Sequence, residues 1–98
     1  MEEAKIQDNK VIKLLVLESG QTLISEVEEV VADIGEPNCK LTNPFILCYE
    51  SLTNGITFKQ WLIDFTEQEM FLISSDKILT IVDPKSTILK KYQSLLKK

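Results

Sequence analysis

Three short stretches of this chain hold residue types that perform chemistry. The run DFTEQE brings Asp64, Glu67 and Glu69 close together, a carboxylate density that suits Ca²⁺ or Mg²⁺. A cation loop also needs oxygen ligands at fixed offsets and a glycine for its turn. Neither is present, so the run reads as a solvated turn. Ser74, Ser75 and Lys77 lie near one another as a Ser-Lys nucleophile pair would, but without oxyanion donors they read as turn chemistry. Cys39 and Cys48 sit within one β-rich segment. If that segment is extended, about 30 Å separates them, far beyond the reach of a disulfide. They read as a reduced pair, as a reducing compartment favours.

Absences narrow the chemistry further. There is no His, and all 11 basic residues are Lys. Without His, neither a Ser-His-Asp nor a Cys-His system can be built, and two Cys are too few for a structural zinc. The expectation is therefore no enzyme, no metal and no cofactor. Without Arg the chain also lacks the planar fork that clamps phosphate and reads guanine edges. Any contact with nucleic acid must rest on Lys, amides and aromatics.

The charge is unevenly spread. Residues 85–98 carry five Lys and no acid, whereas the whole chain has a net charge of -4. A basic tail on an acidic body can face nucleic acid, but it more often is the solvated side of a helix with its Lys near the C-terminus. A chain of 98 residues makes one domain, with a thin core that buries roughly 60 to 70% of the unfolded surface. No apolar run approaches the ~18 residues that span a bilayer. The opening MEEAKIQDNK lacks the apolar stretch of a signal peptide. A cytoplasmic protein with no membrane partner is expected.

The elements that must position these residues are mostly strands. Residues 11–17 form an apolar run and Gly20 supplies a turn. From Thr22 the pattern alternates, then changes phase after Glu29, so that Val30, Ala32 and Ile34 share a side. Such a change marks a bulge or bend, and residues 22–34 read as one strongly bent strand. The run KLTNPFILCYE is a third strand with Leu41, Phe45, Leu47 and Tyr49 on one face and Pro44 at an edge or bulge. Asn54-Gly55 is a hairpin signal. The run ITFKQWLIDF, broken by TEQE and resumed by MFLI, is a fourth strand, and ILTIV is a fifth. Asp83 is a candidate N-cap with Pro84 first in a helix, whose apolar face carries Ile88, Tyr92, Leu95 and Leu96. The expected fold is mainly β, five strongly bent antiparallel strands forming a small barrel of the SH3 or OB kind with a C-terminal helix. Residues 1–10 are a tail, 11–82 the barrel and 83–98 the helix.

The first hairpin carries a family resemblance. Leu15, Leu17, Gly20, Leu23, Ser25 and Val27 match the spacing of the first motif of Sm and Sm-like (LSm) proteins, and FLISSDKI, residues 71–78, echoes the second. The combination of LESGQTLISEVEE, LTNP, WLIDF, FLISSDKILTI and DP before a helix containing Tyr92 is similar to small Sm-like proteins of tailed phages, including cyanophages. The resemblance implies an SH3-type barrel that assembles into a homo-oligomeric ring of about five to seven subunits, working in the host cytoplasm. It also makes RNA a candidate ligand. In RNA-binding members an Asp, an Asn and an Arg grip uridine. The matching positions here hold Val31, Gly35 and Ser74, which supply neither planar nor forked groups. A non-standard RNA site would use Asn43, Tyr49, Trp61 and the lysines Lys85, Lys90, Lys91, Lys97 and Lys98. The other reading is a structural ring that scaffolds a phage or host protein without RNA. Aromatics at strand spacing, Trp61 and Phe65 among them, more often serve core or interface.

Assembly has its own physical argument. An open barrel leaves its fourth and fifth strands as edges, and here those edges are apolar, a hazard for a lone chain. Pairing them head to tail closes a ring if the rotation permits. Phe71, Leu72, Ile73, Ile78, Leu79 and Ile81 are the expected oligomer interface.

Overall fold

The structure, a computed structural model, describes residues 11–97; the tail expected over residues 1–10, and Lys98, lie outside the described residues. Six strands are present: β1 (Val11–Leu17), β2 (Thr22–Glu29), β3 (Cys39–Glu50), β4 (Gly55–Gln60), β5 (Met70–Ile73) and β6 (Ile78–Val82). One helix, α1 (Ser86–Leu96), follows. All pairings are antiparallel, in the order β4-β3-β2-β1-β6, with β5 also on β3.

The expected fourth strand is two strands. β5 pairs with Cys39–Thr42 and β4 with Phe45–Glu50, while β2 holds the other side of β3 along Cys39–Leu47. β4 and β5 therefore lie in series on one side of β3, interrupted by residues 61–69. The interruption is a built turn. Leu62 adopts a left-handed φ of 61°, and the Phe65 and Thr66 amides donate to the Leu62 carbonyl at 2.9 and 3.1 Å. Its two ends are tied to β3, by Trp61 N–H to the Pro44 carbonyl at 2.9 Å and by Asn43 N–H to the Glu69 carbonyl at 2.7 Å.

The bend expected near Glu28 and Glu29 falls elsewhere. β2 ends at Glu29, and residues 30–38 form a loop rather than continued strand. Val31 and Ile34 are fully exposed in it, so the phase change after Glu29 marks the end of the ladder. The register break lies between Ile24 and Glu26 of β2, where Asn43 and Pro44 stand opposite Ser25. This is a β-bulge on β3, with Asn43 supplying the left-handed residue at φ 54°. Pro44, which has no N–H to donate, sits at the bulge as expected. Ser25 is wholly buried beneath it, and its hydroxyl donates to the Thr42 carbonyl at 3.1 Å.

The bulge also changes which face the side chains occupy. Leu41, Leu15, Leu17 and Leu23 form one core, whereas Phe45, Ile24 and Tyr92 form another. Leu41 and Phe45 thus point to opposite faces, although strict alternation would put them on the same one. Tyr49, expected to share that face, is exposed. Ile73 on β5 and Ile78 on β6 both pack against the first core. Since β5 borders β3 and β6 borders β1, on opposite sides of the β3-β2-β1 span, the sheet must curl to bring them together. Each wholly buried leucine stabilises this packing by roughly 1.5–3 kcal/mol.

The helix covers the second face. Ile88, Leu95 and Leu96 pack with Tyr92 against Ile24, Phe45, Leu14, Leu47 and Phe58. Its start differs from expectation: Lys85 is the N-cap residue and makes no side-chain cap bond. The carboxylate of Asp83 is instead engaged by Lys13 across the β1–β6 edge. No helix among the described residues is long and apolar enough to cross a membrane.

Candidate interaction site

The loop 30–38 and the turn before β6 are brought together by Asn38. Its Oδ1 accepts from the Ser75 amide at 2.8 Å and its Nδ2 donates to the Ser75 hydroxyl at 3.2 Å. A short 3-10 turn, Ser75–Lys77, follows Ser74, whose hydroxyl accepts from the Asp76 amide at 3.3 Å. The shallow groove between these segments measures about 330 Å³, with Ile34, Gly35 and Ser74 among its walls. Asp33, Glu36 and Asp76 also line it, with no lysine and no aromatic ring. Such a groove repels phosphate and offers no stacking platform.

The described residues expected to bind nucleic acid lie in separate surroundings, apart from Lys90 and Lys97, which line one shallow groove on the helix. Trp61 packs against the first core, with its ring centroid 5.4 Å from that of Phe71. Its indole N–H is buried without a partner among the described residues. Tyr49 lies on the part of the β3–β4 hairpin beyond the reach of β2, and its hydroxyl donates to Asn54 Oδ1 at 2.6 Å. Asn43 is tied through its backbone to Glu69 and Tyr92. It also lines a groove of about 540 Å³ between β4 and the end of α1. Lys85, Lys90, Lys91 and Lys97 are exposed along the helix, Lys91 with its ammonium 5.2 Å from the Phe58 ring centroid.

The acidic run is a turn with one internal ion pair, Asp64 with Lys59 at 2.8 Å. Both thiols are free, Cys39 buried at the start of β3 and Cys48 exposed near its end. Burial, aided by Glu29 on the adjoining strand, pushes the Cys39 thiol up.

The strand edges also expose apolar side chains. Phe71, Ile73 and Ile78 turn inward, whereas Leu72 is 57% exposed, Leu79 66% and Ile81 46%. Among the described residues β5 pairs only with β3, and β6 only with β1. Leu79 is the extra residue where the β1–β6 register shifts. Sequence reading missed the neighbouring excursion, in which Phe65 is 85% exposed. The TEQE break was its signal.

Curled sheet, covered outer face and bare apolar edges define a small antiparallel-β module sheathed by a helix. The chain belongs to the Family of unknown function (DUF6561), whose model matches residues 10–97. No curated protein matches it.

Proposed function

We propose that this chain is an Sm-like barrel that assembles into a homo-oligomeric ring and acts as an interaction scaffold. One observation carries the reading: β5 and β6 share a core while, among the described residues, their outer edges stay unpaired and apolar at Leu72, Leu79 and Ile81. An exposed apolar edge is a template for another strand. Because the two edges differ, their pairing is head to tail and closes only by rotation. The β4–β5 series along β3 and the bulge at Asn43–Pro44 support the Sm-like reading of the sheet.

The scaffold role is favoured over RNA binding by the acidic groove between loop 30–38 and the 3-10 turn, and by the packing of a half-buried Trp61 against the core. The exposed lysines of α1 support the RNA reading, which requires binding that falls steeply with salt. Native mass spectrometry with and without short mixed and U-rich RNAs tests both. A single closed oligomer without RNA adducts is expected. Monomers at micromolar concentration overturn the ring, and salt-sensitive RNA adducts overturn the scaffold role.

A further inference from the structure

The excursion 61–69 projects apolar side chains into water from a strained backbone. Leu62 holds a left-handed φ of 61°, a conformation that costs a non-glycine residue energy and persists where surrounding structure enforces it. Here the enforcement is visible in the bonds from Trp61 to Pro44 and from Asn43 to Glu69. Held in this way, Leu62 and Ile63 are 38% and 41% exposed and Phe65 is 85% exposed. The knob is acidic. Asp64 is paired with Lys59, while Glu67 and Glu69 make no ion pair among the described residues.

Chain direction fixes what this knob meets. It leads directly into Met70, the first residue of β5, and Lys85 follows Val82, the last residue of β6, by only a short step. Every neighbouring pair in this sheet is antiparallel. Antiparallel pairing of β5 with the β6 of another copy sets the start of one strand beside the end of the other. The acidic knob then faces the stretch that holds exposed Ile81 and Val82 and then Lys85, which makes no ion pair among the described residues. Asp83 does not oppose it, being neutralised by Lys13.

We infer that residues 62–69 form a docking knob for the next copy of this chain. In it Phe65 covers the apolar end of that copy's β6, and Glu67 and Glu69 face its Lys85. The inference rests on the ring reading and adds a second contact beside the strand pairing, one that sets register and direction. Charge opposition at an interface rim excludes wrong partners and steers encounter.

The test is charge exchange, read by native mass spectrometry and sedimentation on the full chain. E67K/E69K is expected to raise the concentration at which the oligomer dissociates by about tenfold, with the thermal midpoint of the chain unchanged. Adding K85E to that variant restores assembly, and F65S weakens assembly without unfolding, since Phe65 is exposed. Wild-type assembly by E67K/E69K and F65S overturns the knob and leaves the ring standing. Loss that K85E does not repair also overturns it. A monomeric wild type overturns the ring reading, and the knob with it.

Discussion

The hydroxyl of Tyr92 donates to the carbonyl of Asn43 at 2.8 Å, joining the helix to the left-handed residue of the β3 bulge. A second, longer contact at 3.3 Å reaches the Thr42 carbonyl. The ring meets Phe45 edge-on with centroids 5.8 Å apart. At the bulge some backbone carbonyls lack ladder partners. Tyr92, from a position that also packs the helix, donates to that of Asn43, and Ser25 donates to that of Thr42.

Replacing this group separates its polar and apolar parts. Tyr92→Phe is expected to lower unfolding stability by about 1 kcal/mol, the usual net value of one buried hydrogen bond. Tyr92→Ala should cost about 3–5 kcal/mol through the cavity it leaves. Urea denaturation of the two variants distinguishes these magnitudes.

The same phenol makes stability depend on alkaline pH. Burial, with Glu26 adding to it, holds Tyr92 well above its ordinary value of 10.0. The folded chain therefore keeps a proton that the unfolded chain releases. This stabilisation is complete below about pH 10 and is lost as pH rises toward the folded value, at up to about 1.4 kcal/mol per pH unit. Urea midpoints for the wild type should fall more steeply above pH 10 than those for Tyr92→Phe. Parallel curves for the two proteins would refute the assignment.

Asn43 is tested by backbone preference. At φ 54° glycine is free of the β-carbon clash and asparagine is tolerated, whereas a β-branched residue is strained. Asn43→Gly should stay within about 0.5 kcal/mol of the wild type, and Asn43→Val should lose about 2 kcal/mol. Equal losses in chemical denaturation would mean that the side chain, rather than the backbone, holds the bulge.

Cys39 and Cys48 occupy one strand and should behave differently. Cys48 is exposed and Cys39 is buried with its thiol pushed up, so little reactive thiolate forms at Cys39. Mass-resolved alkylation at neutral pH should modify Cys48 first and Cys39 only on unfolding. Modification of both at one rate would show that the start of β3 opens freely.

Edge substitutions test the proposed assembly directly. Leu72→Lys and Leu79→Lys place a charge on exposed edge positions, the device by which strands avoid unwanted pairing. Each should leave the thermal midpoint of the chain within a few degrees and shift the sedimentation profile to monomer.

Much of the sheet was legible because its apolar runs and turn residues agree. Val11–Leu17, the Gly20 turn, β3 and the helix face from Ile88 to Leu96 all stand where patterning puts them. The bend was misplaced because Val30, Ala32 and Ile34 mimic a strand face, although two of them, Ala32 and Ile34, meet only solvent. Its actual place depends on Asn43 adopting a positive φ, a choice set by the Tyr92 and Glu69 contacts across the fold. The six expected interface residues divided three inward and three outward, because alternation on β5 and beside the Leu79 bulge splits them. The lysines and aromatics proposed for a nucleic-acid site are types without a motif, and composition alone did not bring them together.

The helix lying across Ile24, Phe45 and Phe58 covers that face of the sheet. In the proposed ring, copies of this chain would meet as tiles do, rim to rim, each added copy covering one exposed edge while presenting another like it. Only a curved path that returns to its origin ends that growth. In that ring a lifted helix would bare Ile24, Phe45 and Phe58 and let copies stack, so α1 would guard the proposed plane of assembly as well as the fold.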